Sequence, residues 1–186
     1  MTAWWWVRHG PVRGHDGICL GQLDVEADLS DAATLEWLRA TLPDDAHWIS
    51  SPLARATATA AKLHPGPVAL EAAFAEQNFG DWQGRAYDTL PLDVDDLAAL
   101  TPPSGESFVA VCDRVAAAIR RIGAAQAERD IVVVGHAGSI WAALAHALDL
   151  APARALSFAV EPLSLTALTH FPDPEAWRVE GVNQRR

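Results

Sequence analysis

The sequence predicts an α/β fold: a three-layer α/β/α sandwich with a mostly parallel central sheet, in a single domain over residues 1–186. Three observations predict it. Short apolar runs alternate with stretches of helical periodicity along the chain, the order that layers helices over a sheet. Ile131-Val132-Val133-Val134 is apolar with no polar alternation, as a strand covered on both faces should be. The length of 186 residues, 50% hydrophobic, lies within the roughly 100–200 of one domain and supports a core.

In chain order, Ala3–Val7 reads as a buried strand ending at Arg8-His9-Gly10, followed by a Gly- and Asp-bearing loop to Leu29. Ser30 is the expected N-cap of a helix through Leu35 and Leu38 that stops before Pro43. Ala46–Ser50 is a second strand, and Ser51-Pro52 opens an alanine-rich helix to His64, with proline at the tolerant first position. Val68–Leu70 is a third strand. Residues 76–105 are rich in Gly and Pro and read as loops with one or two short helices. Phe108, Val111, Cys112, Val115, Ile119 and Ile122 then mark one face of a long helix. Gly135-His136-Ala137-Gly138-Ser139 turns from the valine strand into a helix over Ile140–Leu150. Leu163–Phe171 and Trp177–Val182 read as late strands at a sheet edge, joined through Pro172-Asp173-Pro174. Trp4-Trp5-Trp6 is expected in the core.

Fourteen Lys+Arg against twenty-four Asp+Glu give a formal charge of −10. That balance repels nucleic acids and anionic membranes. No apolar stretch approaches the ~20 residues of a membrane span, and the N-terminus lacks a basic n-region and a long apolar h-region. The expectation is a soluble cytoplasmic protein with no nucleic-acid or membrane partner. Two cysteines, Cys19 and Cys112, make neither a disulfide framework nor a zinc pattern, so no metal is expected. The late edge strands and Trp177 offer a surface for a homodimer.

Three polar clusters share one address. Arg8-His9-Gly10, Ser50-Ser51-Pro52-Leu53-Ala54-Arg55 and Gly135-His136-Ala137-Gly138 each end a strand. If those strands are parallel, all three lie on the carboxyl edge of the sheet, where open α/β sheets bind ligands. Helix N-termini aim free N–H groups at the same place, which favours an anion. Two arginines and two histidines converging there describe a phosphate-sized site. Each residue also has a plainer reading: a packed strand-end histidine, a solvated arginine, a turn histidine, a surface carboxylate.

Arg8-His9-Gly10, Ser51-Pro52-Leu53-x-Arg55, Glu76-x-x-Phe79-Gly80-x-Trp82-x-Gly84, Gly105-Glu106-Ser107 and Gly135-His136-x-Gly138 occur in this order. The set resembles the histidine phosphatase superfamily, which includes the cofactor-dependent phosphoglycerate mutases, from about Ala3 to Ile140. The resemblance implies a phosphoglycerate mutase-like fold and a phosphatase that uses neither metal nor cofactor on a small phosphorylated metabolite. It implies His9 as the nucleophile, Arg8, Arg55 and His136 as a clamp on the phosphoryl oxygens, and Glu76 as the proton donor, with Asp81 as its rival. Relatives carry an Asn soon after Arg-His-Gly; here His15 stands at that distance, so His15 and Ala137 join the expected phosphate-binding set.

For substrate, residues 85–104 hold a single basic side chain, Arg85, which disfavours a mutase that must grip a second phosphate. Phosphohistidine-protein phosphatases of this size usually lack the Glu76–Gly84 segment. Gly17-Ile18-Cys19-Leu20-Gly21-Gln22-Leu23-Asp24-Val25 resembles the Gly-Ile-Cys-Tyr-Gly-x-x-Asp-Val run of some α-ribazole phosphatases, which act on α-ribazole 5′-phosphate in cobalamin assembly. A non-catalytic phosphate-ligand sensor is the alternative of another class, against which His9, Glu76 and His136 stand together. The surrounding acidity would discourage highly charged bisphosphates from entering.

Overall fold

The computed structural model describes residues 1–92, 96–126 and 129–186. Six strands form one sheet: β1 (Thr2–Arg8), β2 (His47–Ser50), β3 (Ala69–Leu70), β4 (Ile131–Gly135), β5 (Leu165–Pro172) and β6 (Glu175–Gln184), in the spatial order β3-β2-β4-β1-β5-β6. The first four are mutually parallel, whereas β5 runs antiparallel to β1 and β6 antiparallel to β5. The late strands thus form the expected edge hairpin, and the α/β sandwich with a mostly parallel sheet is what the chain adopts.

The pleat sorts side chains between two helical layers. Trp4, Trp6, Ile131 and Val133 pack with α3 (Phe108–Ala125), α4 (Ala137–Leu148) and α5 (Pro152–Ala155). Val7, Val132 and Val134 pack with α1 (Ala32–Thr41) and α2 (Ala54–Leu63) on the other face. The four residues Ile131–Val134 are wholly buried, which explains why β4 lacks polar alternation: it lies between β1 and β2 under helices on both faces. Trp4 and Trp6 stack at 6.0 Å, and Phe74 meets Trp6 edge-on at 5.0 Å. The tryptophan run therefore serves packing, with Trp5 turned to the opposite layer and its indole N–H near Asp130.

Three helix starts differ from expectation. Asp31, one residue past Ser30, caps α1, its carboxylate accepting from Thr34 N at 3.0 Å. Pro52 lies before the start of α2, whose first residue is Ala54; the Ala54 N–H is capped from a distant loop by Asp24 Oδ1 at 2.8 Å. The local motif could not reveal a cap supplied thirty positions away. Finally, α4 begins at Ala137, so Gly138 and Ser139 sit inside its first turn; Ser139 Oγ accepts from His136 N at 3.0 Å and closes the strand-to-helix bend. Between Ala72 and Thr89 the chain makes three single 3₁₀ turns, Ala72–Phe74, Gly80–Trp82 and Tyr87–Thr89. The rest of the Gly/Pro-rich stretch includes residues 93–95, outside those described.

Candidate active site

Parallel register brings the three clusters together. Arg8 pairs with Gly135 and Ser50 with Val134, so His9, Ser51 and His136 leave the sheet side by side at its carboxyl edge. The His9 N–H still donates to Gly135 O at 3.0 Å and the Ser51 N–H to Val134 O at 3.0 Å. The His9 and His136 rings lie 4.9 Å apart.

His9 is 5% exposed. Its Nδ1 lies 2.6 Å from the Gly10 carbonyl and its Nε2 lies 3.1 Å from Arg55 Nε. A carbonyl can only accept and a guanidinium only donate. The network therefore assigns the proton to Nδ1 and leaves a lone pair on Nε2. Burial, with help from the Arg55 and Arg8 charges, pushes the imidazole pKa down to about 3 against the opposing Gly10 bond. His9 is accordingly neutral at physiological pH, with its lone pair on Nε2.

Arg55 is 2% exposed although it sits in the first turn of α2, where a cation opposes the helix dipole. Backbone carbonyls account for its position: Nη1 donates to Leu23 O at 2.8 Å and Nη2 to Gly21 O at 2.6 Å. Glycine suits position 21, because its φ is +51° and a Cβ would press on the Gln83 side chain. The Gly17–Asp24 run is thus a bracket that supplies two carbonyls to Arg55 and a cap to α2. Thr59 adds to it, accepting from Gly10 N at 3.0 Å while donating to Arg55 O at 2.7 Å.

Arg8 donates through Nη1 to Val160 O at 2.6 Å, and its Nε is buried without a partner. Ion pairs among the described residues involve Arg13, Arg114, Arg121 and Arg178, and neither Arg8 nor Arg55. Burial lowers the pKa of both guanidiniums and Glu76 offsets it most, so both cations stand in a dry place short of negative charge. His136 is fully buried, with Nε2 at 2.7 Å from Ser51 Oγ and Nδ1 unpartnered. Burial first, then His9 and the arginines, drive its pKa well below the ordinary imidazole value.

Glu76 reaches the same cleft from the loop after β3. Its Oε1 accepts from Gln77 N at 3.0 Å and from Gly138 N, in the first turn of α4, at 3.1 Å. A Cβ on residue 138 would overlap that oxygen, which is why glycine belongs in Gly135-His136-x-Gly138. The backbone of Glu76 is held from α3. Arg114 donates to the carbonyls of Ala75 at 3.0 Å and Glu76 at 3.2 Å, and forks onto Glu106 at 2.8 and 3.0 Å. Burial works against the Glu106 charge, yet the bonds from Arg114 and Asn78 N–H outweigh it and hold its carboxyl below the usual range. Glu106 and Arg114 are residues the motif reading did not single out for the site; Gly105-Glu106-Ser107 was their only trace.

The other expected residues divide. Ala137 supplies the first N–H of α4 beside His136. His15 lines the cleft, but its Nδ1 bonds the Arg13 carbonyl at 2.9 Å on the outer side. Asp81 is exposed, outside the set that lines the cleft, so Glu76 alone of the two carboxylates faces His9's cleft. Cys19 is fully buried with Trp82 and Leu90, and burial raises its thiol pKa. Tyr87, absent from the expected set, stands near Cys19, Glu76 and Arg8; burial and the first two push its phenol up to about 12.

A parallel sheet edge carrying a neutral buried histidine, two unpaired guanidiniums and a carboxylate defines a protein that handles a small oxyanion. Comparison with known proteins specifies it. The model of the histidine phosphatase superfamily (branch 1) matches residues 4–185, and the chain belongs to that superfamily. The glucosyl-3-phosphoglycerate phosphatase of Mycolicibacterium vanbaalenii is 34% identical over 172 residues, covering 77% of this chain and 73% of the relative. A solved mycobacterial glucosyl-3-phosphoglycerate phosphatase superposes with a TM-score of 0.82 at 27% identity, over 97% of this chain and 98% of that one. An Escherichia coli structure provisionally assigned as an α-ribazole-5′-phosphate phosphatase has the same fold, with a TM-score of 0.83 at 22% identity over 98% and 96% of the two chains. Family and relatives together mark the chain as a phosphatase. No helix among the described residues is long and apolar enough to cross a membrane.

Proposed function

We propose that this chain hydrolyses the phosphate monoester of a small metabolite through a phosphohistidine on His9. The observation that carries the reading is the pairing of a neutral His9, its lone pair on Nε2, with two buried guanidiniums that lack a carboxylate partner. A phosphoryl group supplies the missing charge. Arg55 then turns its Nε–H from His9 to a phosphoryl oxygen and frees the lone pair.

Nε2 attacks phosphorus, the P–O ester bond breaks, and Glu76 Oε2 delivers a proton to the departing alkoxide. The Nδ1–H bond to Gly10 O steadies the positive charge that the ring acquires. Arg8, Arg55, His136 and the Ala137 N–H hold the phosphoryl oxygens as charge spreads over them. Water next attacks phosphorus and gives its proton to the Glu76 carboxylate. The N–P bond breaks, releasing inorganic phosphate and the original His9. Splitting one displacement into two is what a nucleophilic residue contributes.

Trapping tests this directly. Quenching an incubation with ³²P-labelled substrate in alkaline detergent should leave alkali-stable, acid-labile label on the wild type and none on His9→Ala, whose turnover falls by about 10⁴ or more. Equal turnover by the two proteins would overturn the reading. Two relatives suggest substrates of different character: glucosyl-3-phosphoglycerate for the mycobacterial enzymes, and α-ribazole 5′-phosphate through the Gly17–Val25 run. The structural work of Gly21, Leu23 and Asp24 in holding Arg55 and α2 explains part of that run without reference to any substrate.

A further inference from the structure

The cleft encloses about 330 Å³. Its floor holds the two cations, and the phosphoryl group takes what their backbone bonds to Leu23, Gly21 and Val160 leave free. Its outer wall is built differently. Pro11, Val12, Ile18, Leu20 and Pro162 make an apolar side, and the charged residue of that wall is Asp16, which is exposed. Exposed Glu161 precedes Pro162 and acts on Arg8 from outside. His15 spends its Nδ1–H on the Arg13 carbonyl. The basic residues nearest in sequence are engaged elsewhere, Arg13 on Asp28 and Arg85 on the Thr89 carbonyl.

Resting on the phosphatase reading above, we infer that the leaving group of the substrate is a neutral or cationic alcohol, a polyol or amino alcohol without a carboxylate or second phosphate. Hydroxyl and ammonium hydrogens meet an acceptor at Asp16, while the carbon skeleton lies against the apolar wall. A carboxylate in the same position meets the charge of Asp16, while the cleft's two cations, Arg8 and Arg55, are taken up by the phosphoryl group. Like charge left unpaired costs affinity. The chain thereby parts from relatives that act on phosphoglycerate derivatives, even though the phosphoryl floor is shared.

The test uses p-nitrophenyl phosphate turnover as the reporter and two size-matched pairs as competitors: glycerol 3-phosphate against 3-phosphoglycerate, and phosphoethanolamine against phosphoserine. The member without a carboxylate should bind at least about tenfold more tightly in each pair, equivalent to about 1.4 kcal/mol. Asp16→Lys should close most of that gap and Asp16→Asn part of it, each read as the ratio within a pair. Equal or tighter binding of the carboxylates, or a ratio unmoved by Asp16→Lys, overturns the inference and leaves the phosphatase reading standing. Failure of the wild type to turn over the reporter, with no label on His9, overturns both.

Discussion

The inner and outer halves of the cleft are made by opposite rules. Inside, His9 and Arg55, and His136 and Ser51, are buried and hydrogen-bonded in pairs, and each comes from the end of a parallel strand or the first turn of the next helix. Outside, Asp16 and Glu161 are exposed and carried on loops. The inner half concentrates scarce positive charge inside a −10 chain; the outer half returns to the acidity of the whole. Fixed dipoles and charges gain strength where water is excluded, so the chemistry belongs to the floor. Loops tolerate change, so the choice of leaving group belongs to the rim. A family can keep one floor and alter many rims.

The sharpest way to break this contrast is at Glu76, which stands where the halves meet. Glu76→Gln should lower kcat on alkyl phosphates by about 10²–10⁴, the range of a general acid. p-Nitrophenyl phosphate, whose leaving group needs no proton, should lose far less. Equal losses on both would mean that Glu76 acts in binding and that the acid lies elsewhere. Arg55→Lys comes next. Lysine keeps the charge but cannot satisfy the Gly21 and Leu23 carbonyls while also reaching the phosphoryl group, because it lacks the planar fork. About 10²–10³ in kcat should be lost, with a lowered unfolding midpoint in urea. A kcat within threefold of wild type would show that charge alone suffices.

The smallest effect is one of pH and stability. An unfolded histidine takes up a proton near 6.5, whereas folded His9 does so only near 3, and folded His136 also well below the ordinary value. Between those limits the unfolded chain holds more protons, so stability is complete above about pH 6.5 and falls on acidification toward 3. The slope is about 1.4 kcal/mol per pH unit for each such histidine. In urea melts at pH 7 and pH 5.5 without phosphate, the wild type should lose more stability than His9→Ala. Identical losses would show that the floor is open to water and that the contrast between halves is weaker than the burial implies.

Much of this arrangement was legible in one dimension. Ile131–Val134 announces a doubly covered strand, the tryptophan run a core strand, and the three polar clusters fall where their strands end. Glu76 was recognised through its Phe79-Gly80-x-Trp82 context, yet its advantage over Asp81 is a matter of which loop faces the cleft. Asp31 in place of Ser30 as a cap is a one-residue ambiguity between two equally suitable side chains. The Asp24 cap on α2, the carbonyl bracket on Arg55 and the Arg114–Glu106 support beneath Glu76 were illegible, since each joins segments that only the folded chain brings together.

Periodicity and residue type act locally, through hydrogen-bonding capacity, side-chain shape and the apolar pattern, and they were enough to specify the layers, the strand ends and the ingredients of the site. Depth, protonation and partnership are long-range properties. Whether His9 is neutral, whether Arg55 sees carbonyls or solvent, and whether Asp16 faces the leaving group depend on how much water the surrounding elements exclude. Exclusion is set by packing across the whole fold, and no single segment of the chain contains it.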